Sequence, residues 1–123
     1  MSLERYGFAV PASVTWTALL RVNDDATAQR LLKRVEDALG VRIKIDEVER
    51  YWKDESLYRC TFTTPLPSEQ GSPTADALAL AGRLAPGWYV TDLAPDTSIS
   101  GTASDGFGVS GVTWVGFDLV SHP

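Results

Sequence analysis

Val14-Thr15-Trp16-Thr17-Ala18-Leu19-Leu20-Arg21-Val22-Asn23-Asp24-Asp25 is the stretch on which the fold reading turns. Val14, Trp16, Ala18, Leu20 and Val22 alternate with the residues between them. Period two means a strand with one buried face. Asn23-Asp24-Asp25 then offers short acceptor side chains that can satisfy the free N–H groups opening a helix. From 26 to 39 the apolar Ala28, Leu31, Leu32, Val35, Ala38 and Leu39 recur at intervals of three and four, which predicts an amphipathic helix. Gly40 follows and ends it, since glycine takes the left-handed conformation without a steric penalty.

Val41-Arg42-Ile43-Lys44-Ile45 alternates again, and the phase then slips. One extra residue near Asp46-Glu47 restores it, as a β-bulge does, and puts Val48 opposite Phe62 and Trp52 opposite Tyr58. Lys53-Asp54-Glu55-Ser56 reads as a turn. The strand 57–64 returns with Tyr58, Cys60, Phe62 and Thr64 on one face, completing a long hairpin. Pro65 to Gly71 reads as a loop. Ser72 and Pro73 then start a helix over 74–84, with Leu78 and Ala81 inward. After Pro86-Gly87 a strand is expected over 88–93 and a last one over 112–120, its apolar set being Thr113, Val115, Phe117 and Leu119. The connection 94–111 is long for a compact domain, and Thr97-Ser98-Ile99-Ser100 is a candidate extra strand within it.

The order of elements predicts one α+β domain over residues 1–123. Two helices cover one face of a mainly antiparallel sheet, in a ferredoxin-like (split β-α-β) plan with an appended C-terminal strand. The length of 123 residues and 44% hydrophobic content suit a single globular domain.

Charge and composition exclude several functions. Eleven Lys and Arg against sixteen Asp and Glu give −5, with a pI near 4.7. The last cation is Arg83, and 84–123 carries only Asp92, Asp96, Asp105 and Asp118 as charges. Phosphate backbones and anionic lipid need clustered cations, so no nucleic-acid or membrane partner is expected. No run approaches a membrane span, and the first residues lack a cationic leader, so a cytoplasmic, soluble chain is expected. One cysteine, Cys60, and one histidine, His122, leave no disulfide, no His or Cys metal site and no base for a nucleophile. Cys60 alternates with Tyr58 and Phe62 and reads as a buried hydrophobe. No cofactor is expected, and the residues favour a non-catalytic role.

Gly106-Phe107-Gly108-Val109-Ser110-Gly111 matches G-x-G-x-x-G. It follows a loop and precedes a strand, whereas a dinucleotide site needs the reverse setting. Its functional reading is a lid built on Gly106, Phe107 and Gly108; its plain reading is a tight turn. The carboxylates Asp46, Glu47, Glu49, Asp54 and Glu55 are interleaved with Lys44, Arg50, Lys53 and Arg59, with Glu49 expected beside Arg59. This is the make-up of a solvated sheet surface.

The four tryptophans are the most informative residues. Trp16 reads as core. Trp114 should point away from its strand's apolar set, beside Gly116, toward the side without helices, where Leu19, Tyr51 and Leu57 complete a candidate apolar patch. The expectation is a protein-binding or self-associating module. Its surface would be the helix-free sheet face and the acidic, aromatic hairpin 46–59, with Glu47, Glu49, Tyr51, Trp52, Leu57, Tyr58, Arg59 and Trp114 as contact residues. The partner is a second copy of the chain or a basic protein. The alternative is a small-molecule site or small enzyme with its pocket between that face and the 94–111 connection.

Overall fold

The computed structural model describes residues 13–66, 73–94 and 98–120. Along the chain these form β1 (Ser13–Leu20), α1 (Asp25–Leu39), β2 (Lys44–Arg50), β3 (Tyr58–Pro65), α2 (Pro73–Leu84), β4 (Tyr89–Ala94), β5 (Ser98–Ala103) and β6 (Val112–Val120). Ser72, expected to cap α2, and Thr97 and His122 lie outside the described residues.

The helix after β1 forms where its caps place it. Asp24 takes extended backbone angles and accepts the Thr27 N–H at 2.8 Å, which satisfies a donor that the first turn leaves free. Gly40 ends the helix at φ 74°, donating its N–H to the Glu36 carbonyl. No basic residue lies in the last turn of α1. Arg83 of α2 supplies the missing cation, its Nη1 donating to the Leu39 carbonyl at 2.5 Å. A positive group at the carbonyl end opposes the helix dipole and ties the two helices together.

The strands form one six-stranded sheet in the order β2-β3-β1-β6-β5-β4, every neighbouring pair antiparallel. The α+β class is as expected. The strand order differs from a simple split β-α-β plan with a strand added at the end. β6 is not appended at an edge but lies between β1 and β5. Its buried side, Val115, Phe117 and Leu119, is the reason: three large apolar side chains in a row need cover from helices, which only a central strand receives. The connection after β4 is also not structureless, because β5 takes up Ser98–Ala103.

One face of this sheet and both helices enclose a single cluster. Val14, Trp16, Ala18 and Leu20 of β1, Tyr58, Cys60 and Phe62 of β3, and the three β6 residues meet Ala28, Leu31, Leu32, Val35 and Leu39 of α1 and Ala77, Leu80, Ala81 and Leu84 of α2. Leu78 faces outward at 39% exposure, against expectation; Ala77 and Leu80 hold the inward positions. Trp16 sits at the centre, stacked on Phe62 with ring centres 6.0 Å apart and packed on Phe117 at 5.4 Å. Its indole N–H donates to Thr64 Oγ1 at 2.9 Å, which pairs the buried donor with the one buried hydroxyl beside it. Trp88 packs edge-on against Trp16 and Phe117, its N–H shared between the Ala81 and Ala85 carbonyls at the end of α2.

Candidate functional site

Among the described residues the other face carries no helix, and its rows follow from the strand registers. One row runs Glu49, Arg59, Leu19, Trp114 across β2, β3, β1 and β6. The next runs Glu47, Thr61, Thr17, Gly116, Thr102, Tyr89 from edge to edge. A third brings Thr63, Thr15, Asp118 and Ser100 together, with Ser100 Oγ donating to Asp118 Oδ1 at 2.5 Å. The face is therefore threonine-rich and charged, with one aromatic ring near its middle. Cross-strand threonine pairs of this kind stabilise a sheet that must also meet water.

Trp114 lies on this face as expected, half-buried. The space beside it at Gly116 is filled by its own ring: a Cβ on Gly116 would stand 2.6 Å from Trp114 Cη2. The missing side chain lets the indole lean down onto its own strand rather than project from it.

The hairpin β2–β3 holds most of the remaining candidates. A bulge does occur, at Asp46, whose Oδ2 accepts the Thr63 hydroxyl at 2.9 Å. The register beyond it differs from the expected one: Val48 opposes Cys60 and Arg50 opposes Tyr58. The hairpin closes sooner than the turn residues suggest, because Tyr51 N–H already donates to the Leu57 carbonyl at 2.8 Å. Trp52 is thereby left in the turn, 79% exposed, not opposite Tyr58. Glu47 and Glu49 share the helix-free face. Arg59 stands directly opposite Glu49 but makes its ion pair with Glu47, at 3.7 Å. At that separation and exposure the pair adds little stability.

The turn itself is well held. Asp54 Oδ1 accepts the Ser56 hydroxyl at 2.7 Å and the Ser56 N–H at 3.0 Å, and these two bonds hold the carboxyl below its ordinary value. Arg21 Nη1 donates to Ser56 Oγ at 3.1 Å. Arg50 is the main clasp. Its Nη1 donates to the Glu55 carbonyl at 2.6 Å and its Nη2 to the Asn23 carbonyl at 3.1 Å and Tyr58 Oη at 3.3 Å. Its guanidinium also lies 4.9 Å from the Tyr58 ring centre. On this base Trp52 stands beside Tyr51 with ring centres 6.3 Å apart, and Lys53 Nζ lies 5.0 Å from the indole. Residues 46–59 carry five carboxylates and three cations, a net −2.

Two expected contact residues offer little surface. Leu57 is 8% exposed, and Tyr58 is 9% exposed and faces the helix side, where it packs in the core. Alternation with Cys60 and Phe62 already sets Tyr58 on the buried face, whereas nothing in the sequence marks Leu57 as covered. Tyr89 and Val90, both exposed at the β4 edge, were missed; alternation marks them as a strand but not as an edge.

The glycine-rich segment is docked on the helical side of the sheet. Gly108 N–H donates to the Leu84 carbonyl at the end of α2, Val109 is buried in the core, Phe107 packs on it, and Gly111 lies against Leu31 of α1. Gly106, Phe107 and Gly108 thus stand on the opposite side of the sheet from Trp114 and do not close over the helix-free face. An open depression of about 640 Å³ lies instead at the end of α1, lined by Lys33, Glu36, Asp37, Gly40, Val41, Arg42 and Ile43. Its Glu36 carboxylate is already engaged, accepting the Ile43 N–H and the Lys33 ammonium, both at 2.9 Å.

Burial pushes the Cys60 thiol up to about 11, which keeps it protonated and unreactive. Among the described residues no three His, Cys, Asp or Glu side chains gather as a metal site. No described helix is long and apolar enough to cross a membrane. No protein-family model matches the chain, and neither a curated protein nor a solved structure matches it.

Proposed function

We propose that the chain is a non-catalytic protein-binding or self-associating module whose contact surface is the hairpin 46–59 with the adjoining part of the helix-free face. The observation that carries this is Trp52, 79% exposed on a turn clasped by Arg50, Arg21 and Asp54. A large aromatic side chain held by rigid surroundings and contributing nothing to the core is the usual anchor of a protein interface. Tyr51 beside it, and Glu47, Glu49, Arg59 and Trp114 on the helix-free face, form the surrounding surface. The fold behind it reads as a split β-α-β plan in which β4 and β5 intervene before the strand that neighbours β1. A cytoplasmic setting without nucleic-acid contact belongs to the same reading, supported by the net −5 and the cation-free stretch 84–123.

The test is an amide-exchange footprint. A partner isolated from the native host with the full chain as bait is purified and returned to it. Protection is expected at 47–53 and at 114–118. Protection confined to α1 and α2 would overturn the proposal.

A further inference from the structure

We infer that the helix-free face carries a stacking platform for a neutral β-linked glucan, built on Trp114 and Tyr89. A Cβ at Gly116 would stand 2.6 Å from Trp114 Cη2 and 3.2 and 3.3 Å from Cζ3 and Cζ2. The two flanking atoms are too close for an edge-on approach, so the indole turns a flat side toward the glycine. Gly116 is buried beneath it, and the surface that the half-buried ring keeps is on the side away from the sheet. The row through Gly116 continues over Thr102 to Tyr89, 86% exposed at the β4 edge. Strand spacing puts Tyr89 about 10 Å from Gly116 along that row. Two linked pyranose rings cover such a distance, one over each aromatic ring.

Shape and charge select the occupant. An aromatic anchor of a protein interface projects into a pocket of the partner. An indole laid on its own strand cannot do so and is met by a flat ligand. Its electron-rich face attracts the polarised C–H bonds of a pyranose. A nucleotide would also stack, but it brings phosphate. The stretch 84–123, which supplies β4, β5 and β6, holds no Lys or Arg, and Asp118 is exposed in the adjoining row. The row of Thr17, Gly116, Thr102 and Tyr89 is itself uncharged. Thr17 and Thr102 flank the glycine, and among the described residues Asp118 is engaged only through Oδ1, by the Ser100 hydroxyl. Threonine hydroxyls donate and accept, and a carboxylate accepts at both oxygens. These groups stand beside the platform, so they meet hydroxyls that radiate in the plane of a stacked ring. β-Linked glucose, with every hydroxyl equatorial, has that form, whereas an axial hydroxyl would point into the indole. Trp114 is the one residue shared with the surface proposed above.

Titration of the full chain with cellotetraose, read by NMR at the four indole N–H signals, tests it. The Trp114 signal should move and saturate, while those of Trp16, Trp52 and Trp88 stay in place. Maltotetraose, the α-linked isomer, should leave all four unmoved. Tyr89→Ala changes an exposed side chain, so it should fold as the wild type does. It should weaken binding roughly three- to tenfold, the worth of one ring contact. Gly116→Ala, which lifts the indole off the sheet, should weaken it as well. Trp52→Ala should bind cellotetraose as the wild type does, so the hairpin proposal and this one fail separately. A Trp114 signal that stays still up to the solubility limit of cellotetraose would overturn the inference. So would a shift at Trp52 in its place, binding that ignores Tyr89→Ala, or equal binding of maltotetraose or of cellotetraose oxidised to carboxylates at C6.

Discussion

Arg50→Met should loosen the turn that carries Trp52 without disturbing the core. Methionine keeps much of the apolar stem but removes the bonds to the Glu55 and Asn23 carbonyls and the approach to Tyr58. The two carbonyl bonds are worth about 0.5–1 kcal/mol each at an exposed site. The guanidinium over the Tyr58 ring adds about 0.5–1 kcal/mol. The sum is a destabilisation of about 1.5–3 kcal/mol, since the acceptors recover hydration when the arginine goes. With a urea slope of roughly 1.5 kcal/mol per molar, the unfolding midpoint falls by about 1–2 M. Amide exchange should quicken first at Tyr51 and Leu57, whose N–H groups close the turn. Arg50→Lys should recover only part of the loss, because an ammonium cannot fork to three acceptors. A midpoint shift below about 0.3 M, inside extrapolation error, with unchanged exchange at both amides would refute the view that Arg50 is the clasp.

Three further outcomes follow from the packing. Thr64→Val keeps the volume but strands the Trp16 N–H, and chemical denaturation should show a loss of about 1–3 kcal/mol. A neutral result would mean that this bond does not hold the centre of the core. Gly116→Ala sets a Cβ against the Trp114 ring and should lift the indole off the sheet. Acrylamide quenching should rise, with a stability cost of about 1–2 kcal/mol. Glu36 is held below its ordinary value of 4.5, first by the Ile43 N–H and then by Lys33. A depressed folded pKa stabilises the fold at pH above the ordinary value and loses that effect as pH falls through the folded one. Glu36→Gln should therefore flatten the acid limb of the stability profile below pH 4.5, read by melting at a series of pH values.

How far the sequence can be read depends on where contrast exists. β1 and α1 were legible because large apolar residues alternate with polar ones at clean periods, and Asp24 and Gly40 mark the ends. In α2 the contrast is weak: Ala77 and Ala81 carry the buried stripe, so Leu78 looked the better inward residue. β5 is legible only in part: Thr97-Ser98-Ile99-Ser100 stands out as a candidate strand, but Gly101-Thr102-Ala103 carries no strand pattern. Its small residues have a packing reason, as the Phe117 ring occupies the space over Gly101. The place of β6 beside β1 rests on pairing between residues about a hundred positions apart, such as Trp16 with Phe117, which no local period encodes. The hairpin's bulge could be inferred but not its register, which the Tyr51–Leu57 closure sets. That closure is also what leaves Trp52 in the turn, so the most exposed tryptophan of the candidate surface was legible as a residue but not in its position.

In the proposed role Trp52 serves contact with a partner and not the fold. Calorimetric titration of the purified partner into wild type and Trp52→Ala, beside their melting curves, tests it most directly. Trp52→Ala should keep its stability within about 0.5 kcal/mol of wild type. Its binding should weaken by about 2 kcal/mol or more, roughly thirty-fold in Kd. Equal affinity in the two proteins, or a collapse of melting in the variant, would contradict it.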